Sequence, residues 1–277
     1  MVANFSAKKR IFNKIVEDIK SIKIQGARDI SKSALKAYSL IPTSSSKNKL
    51  LGLRPTEPML HRVLDLADKI PKEEIFNHFD NSQEKINKNV LALIKRSDRI
   101  FIHCHSTNVI NALIYAKKKG KKFEVYNTET RPLFQGRKTS KELSKAGIKV
   151  TQFVDSAMAL ILEKENRKDE IYANKVFLGA DALTKKGVIN KIGSKTIAEL
   201  VFINKIPLYI VADSWKFSNR PVPIEQRDLN EIWDKAPKKI KLQNPAFEFV
   251  PKKYITKIVT EFGVLKFDEF LRKIKKI

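Results

Sequence analysis

A chain of 277 residues with 42% hydrophobic side chains and 16 phenylalanines has ample material for a buried core, and it contains no apolar run near the roughly 20 residues that a bilayer crossing needs. The net charge of +25 suits a phosphorylated ligand, a nucleic acid or an anionic surface. The basic clusters at 8–10, 117–122, 238–241 and 272–276 are nevertheless scattered and free of interleaved aromatics, so neither nucleic acid nor membrane is the expected partner. A lone cysteine, Cys104, excludes an intramolecular disulfide and fits a cytoplasmic address. The amphipathic N-terminal stretch, with acids by Glu17, predicts neither a secretory leader nor a transit peptide.

Apolar residues at helical spacing predict a first helix over Phe5–Ile22, broken at Gly26. Asp29 or Ser31 is positioned to cap a second helix running through Ala34, Leu35 and Tyr38. The segment from Pro42 to Asn48 reads as a polar loop. A helix over Met59–Lys69 follows, with Thr56 as its N-cap, and a long one over Pro71–Arg99. The first hundred residues therefore read as all-helical. From Arg99 the pattern alternates, with strands at Ile100–His103, Lys122–Tyr126, Lys149–Val154, Lys175–Leu178 and Pro207–Ala212. The helices between them fall at Asn108–Lys119, Thr139–Ala146, Ser156–Glu165 and Ile192–Asn204. Alternation of this kind predicts βαβ units around a parallel sheet. A loop-rich segment leads to a strand at Lys257–Thr260 and a helix at Phe267–Lys275, and the charged run at 163–170 reads as a solvated helix end.

Parallel strands deliver their C-terminal ends to one edge, where open α/β sheets keep their chemistry. Asp181 follows the strand Lys175–Leu178, and Thr184–Gly187 reads as a tight turn in which Gly187 takes a positive φ. Asn190 and Lys191 come next, so an acid, an amide and an ammonium share one strand–helix junction. An aspartate there is also an ordinary turn former. Cys104 lies after the first strand and before a helix, where backbone N–H groups would lower a thiol pKa; a buried, inert cysteine is the plainer alternative. The loop 127–137 carries Arg131, Gln135, Gly136 and Arg137, a set able to hold phosphate or sugar hydroxyls. The three adjacent residues His103, Cys104 and His105 have no second Cys/His cluster to complete a tetrahedral set, so no metal is expected. No G-x-G-x-x-G or P-loop sequence is present, and no cofactor is expected.

Five ordered motifs go further: TETRPLFQGR at 128–137, DSA at 155–157, GADA at 179–182, NKIG at 190–193 and NPAFE at 244–248. Over about residues 22–265 they resemble the family that contains ribose-1,5-bisphosphate isomerases, methylthioribose-1-phosphate isomerases and the α-, β- and δ-type regulatory subunits of translation initiation factor 2B. The resemblance implies a helical N-terminal domain, 1–97, followed by a Rossmann-like α/β catalytic domain, 98–277. It implies that Cys104 and Asp181 are the catalytic pair of an aldose–ketose isomerase. It also implies substrate contacts from Gly26, Ala27, Arg54, Gln135, Asn190 and Lys191, with Arg54 at a phosphate. Where the family has arginine before Gly-Ala this chain has Gln25, so Arg28 or Arg131 would have to stand in, and His105 replaces an asparagine usual among the isomerases. The segments ADSWKF at 212–217 and RPTEP at 54–58, with an uninterrupted DSAMAL, are most similar to the ribose-bisphosphate branch. A phosphorylated sugar is then the expected partner, linked to AMP and nucleotide metabolism. The homo-oligomer implied is a dimer, or a hexamer built as a trimer of dimers. Methylthioribose 1-phosphate isomerisation and a non-catalytic regulatory role are the alternatives.

Overall fold

A computed structural model describes residues 2–163 and 171–275. Helices α1 (Val2–Lys20), α2 (Ala27–Leu40), α3 (Ser44–Leu51), α4 (Pro58–Leu66) and α5 (Lys72–Leu93) come first. Their apolar stripes meet in two clusters, one around Ile19, Ile30, Leu50 and Leu60, the other around Leu35, Met59, Ile75 and Phe79. The expected polar loop after Pro42 is instead α3: Thr43 caps it by accepting from the Ser46 N–H at 3.2 Å, and Leu50 is fully buried beneath it. Thr56 does not cap α4. Its hydroxyl donates to the Pro223 carbonyl at 2.8 Å, and the helix begins at Pro58, whose missing N–H costs nothing there. The long helix stops at Leu93, short of Arg99.

The alternating half contains β1 (Asp98–Ile102), α6 (Thr107–Lys118), β2 (Phe123–Thr128), α7 (Gln135–Lys145), β3 (Lys149–Phe153), α8 (Met158–Leu162) and β4 (Lys175–Leu178). It continues through β5 (Ala182–Leu183), β6 (Gly187–Lys191), α9 (Ser194–Ile203), β7 (Leu208–Val211), β8 (Phe247–Pro251), β9 (Lys257–Thr260), β10 (Gly263–Leu265) and α10 (Phe267–Ile274). The main sheet runs β10-β9-β7-β4-β1-β2-β3, parallel except for β10. From β1 the chain winds outward to β2 and β3, then crosses back to pair β4 with the other side of β1. The strand order reverses between β1 and β4, and a crevice opens at their C-terminal ends. One face of the sheet packs on α5 and α6, the other on α9 and α10. Near the opposite end of β1 and β4, the Lys175 ammonium and Asp98 carboxylate form a buried ion pair. Among the described residues no helix is long and apolar enough to cross a membrane.

A small antiparallel sheet, β5-β6-β8, hangs below the crevice and was not legible as strands. The hairpin joining β5 to β6 is the expected tight turn, with the Thr184 N–H donating to the Gly187 carbonyl at 2.9 Å. Gly187, however, has no positive φ. It is glycine because β8 passes so close that a Cβ would sit 2.1 Å from the Val250 carbonyl oxygen. The helix expected from Ser156 is a 3₁₀ turn, Asp155–Ala157, leading into α8; the charged run expected beyond it falls outside the described residues from 164 to 170.

Candidate active site

The end of β1 is shaped by close contacts to β2 and α7. His103 is buried, with Nδ1 2.5 Å from Thr128 Oγ1 and Nε2 2.9 Å from the Ile192 carbonyl. Cys104 then adopts φ 69°, the left-handed region that non-glycine residues resist. Its backbone is fixed on both sides: the N–H donates to Thr130 Oγ1 at 3.0 Å, and the carbonyl accepts from Thr139 Oγ1 at 2.8 Å. The reversal turns the chain sharply into α6 and sets the thiol beside the crevice. On the β4 side, Gly179 admits the Ser106 side chain, whose Oγ would lie 2.6 Å from any Cβ at that position. Asp181 follows, its N–H donating to the Ile189 carbonyl at 2.9 Å, which ties it to β6.

Cys104 and Asp181 thus line one cleft of about 810 Å³, part of it open to solvent. Gly26, Ala27 and Arg28 line it from the start of α2, Arg54 from the turn before α4, Gln135 from the start of α7, and Asn190 and Lys191 from β6. Arg131 does not line it. Its backbone N–H is bound by Asp155 Oδ2 at 2.6 Å and its guanidinium lies over Phe134. In the same loop Glu129 pairs with Arg137 at 2.6 Å. Gln25 reaches the lining, but its side-chain amide donates to the Ile22 carbonyl at 2.8 Å. The Arg28 guanidinium is held by Asp80 at 2.7 Å.

Three charged lining residues escaped sequence reasoning: Glu57, Lys216 and Arg227. Glu57 and Lys216 lie inside RPTEP and ADSWKF, so position in those motifs was the available signal. Arg227 comes from the long segment between β7 and β8, where it pairs with Glu231 at 2.6 Å and Glu225 at 3.3 Å, and nothing local marks it. The Lys216 ammonium donates to the Ala180 carbonyl at 2.6 Å, directly before Asp181. Arg54 Nε approaches Glu225 Oε2 to 3.1 Å, yet neither atom is in a well-directed hydrogen bond, which leaves an ion pair with unspent donor and acceptor capacity. The Gln135 carbonyl oxygen and the Ser106 hydroxyl are likewise buried without partners.

Burial dominates the electrostatics. It pushes the Cys104 thiol up, against the smaller opposing pull of the Lys191 ammonium and the His105 backbone N–H. A thiol lowered by its helix N-terminus, the expectation from sequence, is therefore corrected: desolvation outweighs the helix end. Burial raises the Asp181 carboxyl against the pull of Lys216, Lys191 and Arg54, and pushes Glu57 up to about 8, reinforced by the neighbouring Asp181 charge. His103 is lowered by burial, and His105 is pushed down to about 4 by burial and Lys138, so both rings are neutral near pH 7. The result is a cleft whose thiol and carboxyls are shifted toward their neutral forms, set among Arg28, Arg54, Lys191, Lys216 and Arg227. Such an arrangement can attract a phosphorylated molecule and move protons on it. A separate His78, Asp213 and Glu261 group has ligand atoms within 4.8 Å of one another, but these do not line the cleft: His78 bonds Asp213, which also accepts from Ser82, and Glu261 accepts from Ser214.

The model of the initiation factor 2 subunit family matches residues 23–267. A ribose 1,5-bisphosphate isomerase of Methanocaldococcus jannaschii is 34% identical, covering 92% of this chain and 91% of that protein. A methylthioribose-1-phosphate isomerase of Pelotomaculum thermopropionicum is 30% identical over 95% of this chain and 85% of its own. Among solved structures, a Pyrococcus horikoshii OT3 translation initiation factor eIF-2B superposes with a TM-score of 0.79 at 25% identity, covering 92% of this chain and 96% of that one.

Proposed function

The chain belongs to the initiation factor 2 subunit family, and we propose that it is a sugar-phosphate isomerase converting ribose 1,5-bisphosphate to ribulose 1,5-bisphosphate. One observation carries this reading: the residues that follow β1 and β4, Cys104 and Asp181, line a single cation-rich cleft. An aldose whose C1 carries phosphate has no free aldehyde, so the ring must open as the C2 proton leaves. Cys104, as thiolate, takes that proton; the electron pair forms the C1–C2 double bond, the C1–ring-oxygen bond breaks, and Asp181 protonates the released oxygen. The resulting phosphoenol gives its C2 hydroxyl proton to the Asp181 carboxylate while Cys104 returns its proton to C1. Both groups are restored and no oxidant is needed. Lys191, beside Asn190, stabilises charge developing at the C2 oxygen, and Lys191 also favours the thiolate. Arg54 binds a phosphate. The helical part, 1–97, closes the cleft over residues 98–277 and shields the phosphoenol from elimination. A homo-oligomer and a cytoplasmic address belong to the same reading.

A second reading has its own support in Gln25, whose side-chain amide donates to the Ile22 carbonyl, with Arg28 as the cation that lines the cleft from the start of α2. A substrate with one phosphate, methylthioribose 1-phosphate, makes less demand there. The test is a coupled assay of the purified chain on both sugars, beside Cys104→Ser and Asp181→Asn. Turnover of ribose 1,5-bisphosphate abolished by either change supports the first reading, and preference for the other sugar selects the second. Failure on both would move the chain to the non-catalytic, regulatory-subunit role.

A further inference from the structure

Two histidines flank Cys104, and the hydrogen bonds around them fix where each ring carries its proton. A neutral imidazole has one N–H donor and one bare acceptor nitrogen, whereas a carbonyl oxygen only accepts. His103 Nε2 lies 2.9 Å from the Ile192 carbonyl, so Nε2 holds the proton and Nδ1 accepts from the Thr128 hydroxyl. Both nitrogens of His103 are thereby engaged. His105 has the opposite arrangement. The buried Thr139 hydroxyl gives its one proton to the Cys104 carbonyl at 2.8 Å, and His105 Nδ1 lies 3.0 Å from the same hydroxyl oxygen. That oxygen has no second proton to give, so Nδ1 donates to it and Nε2 is left as the acceptor. Burial and Lys138 hold the ring at a pKa of about 4, which keeps a second proton off Nε2 at neutral pH. His105 lines the cleft, and among the described residues its Nε2 has no hydrogen-bond partner.

A bare acceptor nitrogen repels the lone pairs of a phosphate dianion and recognises an O–H donor. Ribose 1,5-bisphosphate has two free hydroxyls, because O1 and O5 carry phosphate and O4 closes the ring. The C2 hydroxyl is used in the reaction, at Lys191 and Asp181, which leaves the C3 hydroxyl. We propose that His105 is a specificity-determining residue whose Nε2 accepts a hydrogen bond from the C3 hydroxyl of the sugar, with Thr139 as the positioning residue that fixes its tautomer. The inference rests on a ribose phosphate being the ligand of the cleft; methylthioribose 1-phosphate carries the same hydroxyl. A site built around such an acceptor discriminates against a ligand that lacks the donor, because the acceptor is then shut away from water without a partner.

Long-range ¹⁵N NMR of the histidine-labelled full chain distinguishes the two neutral tautomers, and the chain has only four histidines to assign. The ring that disappears in His105→Phe is expected to be neutral and protonated at Nδ1 between about pH 6 and pH 8. An Nε2–H or charged ring there overturns the proposal. In the isomerase assay, His105→Phe is expected to lose roughly three- to tenfold in kcat/KM on ribose 1,5-bisphosphate and less than about twofold on its 3-deoxy analogue, which still has the C2 proton and hydroxyl. His105→Gln, whose amide oxygen reaches toward the place of Nε2, recovers part of the preference for the parent sugar. Equal losses on both sugars mean that the ring only supports the fold, and overturn the acceptor. Should the chain turn over neither sugar, calorimetric binding of the two makes the same comparison. A preference for the parent sugar that His105→Phe erases then overturns the isomerase reading and leaves the acceptor standing; no binding, or no such preference, overturns both.

Discussion

Burial raises the Cys104 thiol while Lys191 pulls it the other way, and the same burial raises Asp181. A base with a raised pKa gains its working form only as pH rises, whereas an acid with a raised pKa keeps its working form further into the alkaline range. The kcat/KM profile should therefore peak on the alkaline side of neutrality, and a maximum near pH 5 would contradict the assignment. Cys104→Ser should lose about 10³-fold or more in kcat, since general acid–base steps of this kind contribute on that order. The roles separate in heavy water: Asp181→Asn incubated with ribulose 1,5-bisphosphate should still exchange a C1 proton, as followed by NMR, and Cys104→Ser should not. Loss of exchange in Asp181→Asn with retention in Cys104→Ser would reverse the two. Glu57 also makes folding depend on pH. Its carboxyl rises from 4.5 to about 8 on folding, so the stability associated with its protonated form is complete below about 4.5 and is lost as pH rises through about 8. Thermal melts of Glu57→Gln should gain on the unaltered chain across that interval.

Single contacts between elements decide how β1, β4 and the small sheet are held. Lys175 and Asp98, with side chains 8% and 5% exposed, pair between the two strands that Cys104 and Asp181 follow, and the Lys175 ammonium also donates to the Leu93 carbonyl at 2.5 Å. Lys175→Met leaves Asp98 buried without its cation and should cost about 3–5 kcal/mol by denaturant unfolding. A change below about 1 kcal/mol would mean that the ion pair is replaceable by packing. Gly187→Ala drives a methyl against the Val250 carbonyl and should cost about 1–3 kcal/mol. Because β6 carries Asn190 and Lys191, that variant should also raise KM, which calorimetry and kinetics on one preparation would separate from simple unfolding.

Across the whole molecule, α5 is fastened to the C-terminal end of the sheet by a polar seam. His78 stacks on Trp215 with ring centroids 3.5 Å apart, its Nε2 lies 3.1 Å from Asp213 Oδ1, and Ser82 donates to Asp213 Oδ2 at 2.5 Å. Burial alone would raise Asp213, but hydrogen bonds from His78 and Ser82 outweigh it and hold the carboxyl below its ordinary range. That stability is present above a pH of about 4 and is lost as pH falls through the lowered value. His78→Ala should destabilise by about 1–3 kcal/mol and, by loosening the helices that bring Arg28 and Arg54 to the cleft, raise KM more than it lowers kcat. An unchanged melting temperature would show that the seam is dispensable.

Periodicity alone yielded six parallel strands, β1 to β4, β7 and β9, with Lys175–Leu178 and Lys257–Thr260 at their observed bounds, because buried parallel strands are short apolar runs with clear ends. It also placed Cys104 and Asp181 after strands, and parallel topology sends such positions to one edge. The third helix was hidden because SSSKNK has a polar surface and its helicity comes from one cap and one buried leucine. The small sheet was hidden because β8 pairs with β6 across more than fifty residues, and no local pattern records a long-range partner. The sequence by itself determined the α/β architecture and the two residues at its switch point, since both follow from side-chain spacing along single elements. Only the tertiary structure decided the protonation of Cys104, the exclusion of Arg131, and the entry of Glu57, Lys216 and Arg227 into the cleft. Desolvation and the summed field of distant charges exist only once separate segments are packed around one space.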